Sequence, residues 1–204
     1  ISRWAEVGVI AGVTTNPSLA AKSSTPYPDL IKAIAPLVRE SVSAQVVSTN
    51  YEDMVAEANS LVDISDKVAI KLPLTENGLR LCSHLADRGV MVNMTLCFSP
   101  LQALLAVEAG ASYVSLFVGR LEDNNHDVAK ILHQSSQVVY GSAYNADLLV
   151  ASIRKLDHIL LASEAGAGVI TIPESLLPEM LSNPLTDAGL EKFLSDWKQS
   201  GKQP

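Results

Sequence analysis

Leu104-Leu-Ala-Val-Glu-Ala-Gly-Ala-Ser-Tyr-Val-Ser-Leu116 returns 56 residues later as Leu160-Leu-Ala-Ser-Glu-Ala-Gly-Ala-Gly-Val-Ile-Thr-Ile172. Each copy reads as a helix end, a Gly-Ala turn and an apolar strand. Two units of one build, set two strands apart, fit a closed barrel better than an open sheet. The competing reading is a common helix-to-strand turn that recurs by chance.

The same alternation extends to both sides. Apolar runs stand at 9–15, 42–47, 68–73, 91–97, 113–118, 148–152 and 169–173, mostly rich in Val and Ile and bounded by turn or polar residues, as buried strands are. Helical spacing fills the gaps. Residues 28–40 place Leu30, Ile31, Ile34, Leu37 and Val38 on one face. Thr75 opens 76–88 and Gly89 stops it, and Ser99 and Pro100 open 101–108, which Gly110 ends. Strand–helix alternation predicts βαβ units on a parallel sheet. The expected fold is α/β, a (β/α)8 barrel in a single domain over 1–204 with a last helix at about 187–199. Only seven of its eight strands are readable, because the pattern opens at Ile1 in mid-course. The first strand is therefore expected upstream, with an unpaired seam beside 9–15 and little activity for the chain as written.

Composition agrees. Of 204 residues, 48% are hydrophobic and 18% charged, against roughly 25% charged in an average soluble domain. Mean hydropathy is +0.21. Strands buried on both faces have this bias. A net charge of -7 and a pI near 5.0 argue against general affinity for nucleic acid or anionic membrane. No apolar run reaches the roughly 20 residues of a membrane helix. Cys82 and Cys97 have no ligand spacing and read as buried reduced thiols, so a cytoplasmic protein is expected.

Parity within the runs selects the interior. In Val68-Ala-Ile-Lys-Leu72 the alternating apolar residues face the helices, so Ala69 and Lys71 point inward. The same test turns Ser43 and Gln45, Asn93, Thr95 and Cys97, Tyr113, Ser115 and Phe117, Ser152 and Thr171 inward, and Thr14 and Asn16 end the first visible strand. A purely structural interior would use Val, Ile and Leu. Lys71 matters most. An amine in an apolar barrel loses hydration, which lowers its pKa, and nearby arginines would act the same way. Such a lysine forms Schiff bases with ketones. The alternative is a structural lysine that reaches a carboxylate or snorkels outward. Lys67, in the turn before it, reads as solvated.

Arg120 and Arg154 fall just past strand ends, where a barrel presents ligand-binding loops, and together they suit a phosphate. Pairing with neighbours such as Glu122 or Asp157 is the other reading. His84, His126, His133 and His158 show no metal spacing. Asn93-Met-Thr95 matches a glycosylation sequon on a buried strand, a chance match. Phe193 and Trp197 are expected to cover the barrel or a neighbouring subunit.

Gly12-Val-Thr-Thr-Asn-Pro-Ser18, Val68-Ala-Ile-Lys-Leu-Pro-Leu-Thr75, Asn93-Met-Thr95, Phe117-Val-Gly-Arg120, Ala151-Ser-Ile-Arg154 and Pro184-Leu-Thr-Asp-Ala-Gly-Leu190 together resemble the transaldolase family, nearest its short single-domain branch, which includes the fructose-6-phosphate aldolases. The resemblance implies a class I, Schiff-base mechanism in the pentose phosphate pathway, without metal or organic cofactor, on sugar-phosphate substrates. It also implies a homo-oligomer, such as a ring of subunits. By that resemblance Lys71 is the Schiff-base lysine, and Thr95 positions the catalytic water. Asn16 and Asn93 hold substrate hydroxyls, Thr14, Ser115 and Ser152 line the site, and Arg120 and Arg154 bind phosphate.

Three departures stand out. Gln45 replaces the glutamate that activates water in transaldolases, as in the aldolase branch. Phe117 replaces the tyrosine of the aldolases, as in transaldolases. The family's proton-accepting aspartate lies on the first strand, and no acidic residue here ends an inward strand to replace it. The expected activity is transaldolase, with fructose-6-phosphate aldolase next and a non-catalytic sugar-phosphate-binding barrel as the reading of another class.

Overall fold

Seven parallel strands alternate with helices and pair strictly in chain order: β1 Val13–Thr14, β2 Val42–Gln45, β3 Val68–Pro73, β4 Val92–Cys97, β5 Tyr113–Phe117, β6 Asp147–Ala151 and β7 Val169–Ile170. The structure, a computed structural model, describes residues 1–202. Its sheet is a curled, incomplete (β/α)8 barrel. The curl brings Thr14 Oγ1 at the end of β1 to 2.6 Å from Thr171 Oγ1 just beyond β7. No backbone ladder joins these two edge strands among the described residues. Contacts group Ile1–Ile172, which holds all seven strands, into one compact unit and the described residues from Pro173 onward into a second.

The apolar bias has a direct cause. Val68, Ala69, Ile70, Lys71 and Leu72 are all buried, so β3 has no water-facing side. Val68, Ile70 and Leu72 each contribute about 1.5–3 kcal/mol by leaving water. The two copies of the sequence repeat superimpose in role: helices Pro100–Glu108 and Leu156–Glu164 lead to Gly110 and Gly166, at φ 83° and 73°, and then to β5 and β7. That left-handed turn is open to glycine without strain.

The differences from expectation lie at edges and at proline. The runs at 9–15 and 169–173 shorten to two ladder residues each, because β1 and β7 pair on one side only. The stretch at 28–40 breaks into a helix, Tyr27–Ile34, and a 3-10 turn, Ala35–Leu37. Pro36 has no N–H to give the α-helix and its ring crowds the carbonyl four residues back. The last helix starts earlier than 187, as Pro184–Gln199, because Asn183 accepts from the Leu185 N–H and Pro184 is preset for the first turn. Phe193 and Trp197 lie on this last helix with exposed side chains.

Candidate active site

Lys71 stands at the middle of the sheet, in register with Gln45 on β2 and Asn93 on β4. Only 6% of it is exposed, and Nζ donates to the carbonyl of Thr15 at 3.1 Å. Among the described residues no salt bridge involves it. Burial alone lowers its pKa to about 8, so no arginine is needed for the effect. Lys67 differs from expectation. It is half-buried and donates to the Val38 carbonyl at 2.7 Å, at the end of the 3-10 turn Ala35–Leu37.

Register puts Ser43, Gln45, Lys71, Asn93, Thr95, Tyr113, Ser115 and Phe117 on one face as read. Cys97 departs from it, because the ladder shifts after Met94, with Leu96 at φ 62°, and Cys97 pairs with Leu116 on the opposite face. Ser152 departs because Phe117 pairs with Ala151. Ser115 Oγ donates to Asn93 Oδ1 at 2.6 Å, and Asn93 Nδ2 donates to Ser43 Oγ at 2.9 Å. All three are buried, so one hydrogen-bonded line crosses the interior from β5 through β4 to β2 beside Lys71. Thr95 is also buried, and its Oγ1 has no partner. An unmet hydroxyl in such a place costs about 1–3 kcal/mol and marks room for a ligand or water contact. Cys97 and Cys82 are buried free thiols pushed up to about 12 by burial, hence unreactive.

One contributor escaped the sequence reading. Tyr27 OH accepts from the Gln45 N–H at 2.6 Å and lies 2.7 Å from Thr15 Oγ1, which itself donates to the Ser43 carbonyl at 2.7 Å. With that donor direction fixed, the Tyr27 hydroxyl proton goes to Thr15. The phenol thus ties β2 to the residue whose carbonyl holds Lys71. A helix-opening tyrosine in a Pro-Tyr-Pro stretch carries no sequence signal for this. Gln45 is half-buried, and its Nε2 turns to the Val46 and Lys71 carbonyls at 3.3 and 3.4 Å. Asn16 spends its side-chain oxygen capping Pro17–Ala20, accepting from the Leu19 N–H at 2.9 Å.

The rim follows β5 and β6. Helix Val118–Asp123 begins immediately after Phe117, whose ring meets Phe98 edge to face at 5.9 Å and lies under the Arg120 guanidinium at 5.4 Å. Ser152, after β6, takes φ 61°, a strained choice for a residue with a side chain. Its carbonyl accepts from the Gly119 N–H at 3.1 Å. Arg154 forms a two-pronged pair with Asp123, at 2.5 and 2.6 Å, rather than with Glu122 or Asp157. Asp123 is held below the usual carboxylate range, chiefly by its hydrogen bonds from Arg154 and further by the charge of Arg120, so both cations act on this carboxylate. Glu122 engages Lys155 and His158 instead. Lys71, Asn93, Ser115 and Thr95 therefore share the interior, while Phe117, Arg120, Ser152 and Arg154 share the rim. Among the described residues, no group of three His, Cys, Asp or Glu side chains is arranged to hold a metal ion, and no helix is long and apolar enough to cross a membrane.

A family model described as transaldolase/fructose-6-phosphate aldolase matches residues 1–203. The chain belongs to this family. A probable transaldolase of Anaeromyxobacter sp. (strain K) is 45% identical over 204 residues, covering all of this chain and 94% of that protein. One of Geotalea daltonii is 46% identical over 197 residues, 97% of this chain and 92% of that protein. One of Caulobacter sp. (strain K31) is 44% identical over 202 residues, 99% and 93% of the two chains. Membership supports an enzyme of the aldolase and transaldolase kind.

Proposed function

We propose that the chain is a transaldolase that moves a dihydroxyacetone unit from a ketose phosphate, such as fructose 6-phosphate or sedoheptulose 7-phosphate, to an aldose phosphate. The observation that carries this reading is a buried lysine of lowered pKa with two arginines at one rim. Near neutral pH a useful share of Lys71 is free amine, which adds to the C2 carbonyl and loses water to give an iminium. Cleavage of the C3–C4 bond leaves its electron pair on the iminium as an enamine, while the C4 hydroxyl passes its proton to bound water and becomes the carbonyl of the departing aldehyde. The enamine then attacks the acceptor aldehyde, and hydrolysis returns the amine.

Asn93 and Ser115 hold the sugar hydroxyls beside Lys71. Thr95 Oγ1, unpartnered in the interior, orders the water for iminium formation and hydrolysis. Thr14 and Ser152 close the site, and Arg120 and Arg154 hold phosphate, with Asp123 displaced from Arg154. Phe117 offers no proton to the enamine carbon, so the unit persists until an acceptor arrives. The chemistry needs neither metal nor organic cofactor, and the substrates place it in sugar-phosphate metabolism of the cytoplasm. Fructose-6-phosphate aldolase is the second reading, favoured by Gln45, an amide that cannot act as a general base.

Release of free dihydroxyacetone from fructose 6-phosphate, assayed with and without erythrose 4-phosphate, tests the reading. A transaldolase shows turnover that requires the acceptor, and turnover unchanged by the acceptor would establish the aldolase instead.

A further inference from the structure

His158 is 1% exposed and uses both ring nitrogens. Nδ1 accepts from the backbone N–H of Arg154 at 3.3 Å, and Nε2 lies 3.1 Å from Glu122 Oε2. A nitrogen that accepts from an amide carries no proton, so the ring proton sits on Nε2 and points at the carboxylate. The ring thus joins two separate pieces of the rim. Glu122 lies on helix Val118–Asp123, which also carries Arg120, whereas Arg154 lies in the turn after β6. Glu122 reinforces the joint through Lys155, and the Gly119 N–H to the Ser152 carbonyl makes a second bond between the same two pieces. Gly119 shows how close they are: a Cβ there would stand 2.4 Å from the Ser152 carbonyl oxygen and 2.7 Å from Arg154 Nε.

We propose that His158 is a positioning residue for anion binding. By bridging the Arg154 backbone to Glu122 it fixes the spacing of Arg154 and Arg120, so that the two guanidinium groups meet one phosphate. The inference rests on the proposed phosphate role of these arginines. It adds a residue that touches no substrate and acts through the backbone of one that does. A rim assembled before the ligand arrives saves the ordering of two loops on binding. A misplacement of an ångström at such a clamp is costly, which sets the expected size of the effect.

Calorimetric titration with inorganic phosphate separates the possibilities, run on the parent, His158→Ala, His158→Asn and Arg154→Met. His158→Ala is expected to bind phosphate about tenfold more weakly, and to raise KM for fructose 6-phosphate by a similar factor while kcat moves less than about twofold. His158→Asn, whose side-chain oxygen can still accept from the Arg154 N–H, recovers most of the affinity. A His158→Ala protein with parental phosphate affinity, or one whose loss appears in kcat alone or is not recovered by Asn, overturns the proposal. Loss of phosphate in Arg154→Met but not in His158→Ala sinks this inference and leaves the rim reading standing. Parental affinity in Arg154→Met sinks both.

If His158→Ala fails to fold, Glu122→Ala cuts the joint from its exposed end. Removing a carboxylate makes the rim more positive, and charge alone would then tighten phosphate. Weaker binding in Glu122→Ala therefore reports lost positioning, and tighter or unchanged binding contradicts it.

Discussion

Lys71 Nζ donates to the carbonyl of Thr15 across 3.1 Å, from the centre of β3 to the residue that follows β1. Its only hydrogen-bond partner among the described residues is therefore a neutral oxygen. A carboxylate would stabilise the ammonium and work against the free amine, whereas a single carbonyl leaves burial in control.

The pH dependence of stability follows from this. Folding lowers the lysine from 10.5 to about 8, so between those values the unfolded chain binds a proton that the folded chain has released. Stability to unfolding therefore rises with pH from about 8 to about 10.5. Below about 8 the folded state carries the whole cost of a buried cation, about 3 kcal/mol at roughly 1.4 kcal/mol for each pH step. Lys71→Met, apolar and of similar reach, should raise the unfolding free energy at pH 7 by about 1–3 kcal/mol. It should also lose the rise with pH. Urea titrations of both proteins at pH 7 and pH 10 measure this.

Tyr27→Phe removes one hydroxyl, strands the Gln45 N–H and takes away the hydrogen bond that the Thr15 hydroxyl accepts, while Thr15 keeps its bond to the Ser43 carbonyl. The expected loss is about 1–3 kcal/mol of unfolding free energy. Because Thr15 also positions Lys71, the rate of Schiff-base formation should fall with it. A variant as stable as the parent would show that water replaces the phenol.

Gly119→Ala forces a Cβ against the Ser152 carbonyl and Arg154 Nε. The Ser152 carbonyl is backbone and has little room to yield, so the Arg154 side chain must move. The variant should weaken binding of phosphorylated substrate about tenfold or more, seen as a higher KM with the same Lys71 pKa. A parental KM would show that the two rim loops move apart freely.

Phe117→Tyr adds a proton donor where the structure has an aromatic edge contact to Phe98 and a cation above the ring. Free dihydroxyacetone release should rise about tenfold relative to transfer, since one positioned acid contributes at least that much. Comparing product ratios with and without acceptor reads it directly.

How much of this was legible in residues depended on the kind of signal. Val68–Pro73 is apolar at every position but Lys71, and that contrast exposes both the strand and its chemistry. Asn93, Thr95 and Ser115 were readable for the same reason. Ladder length was not, because how far β1 and β7 extend depends on neighbours rather than on composition. Pairings across the rim were equally silent. Asp123 wins Arg154 over Glu122 by its place on Val118–Asp123, and His158 sits on an amphipathic helix where its sequence neighbours give no hint of burial. Tyr27 shows the same limit, since its partners lie on a strand and loop fixed only by folding.

The interior among the described residues offers amides, hydroxyls and one amine but no buried carboxylate. Iminium formation needs only the amine and water, whereas C–C cleavage also needs a base. The chain should therefore trap substrate more readily than it turns it over, with trapping about tenfold faster for each pH step up to about 8 and level above it.

Borohydride reduction in the presence of fructose 6-phosphate, followed by peptide mass spectrometry, tests the central claim most directly. One stable adduct is expected, on Lys71, and absent from Lys71→Met. An adduct on Lys67 or any other lysine, or none at any pH where the fold is intact, would contradict it.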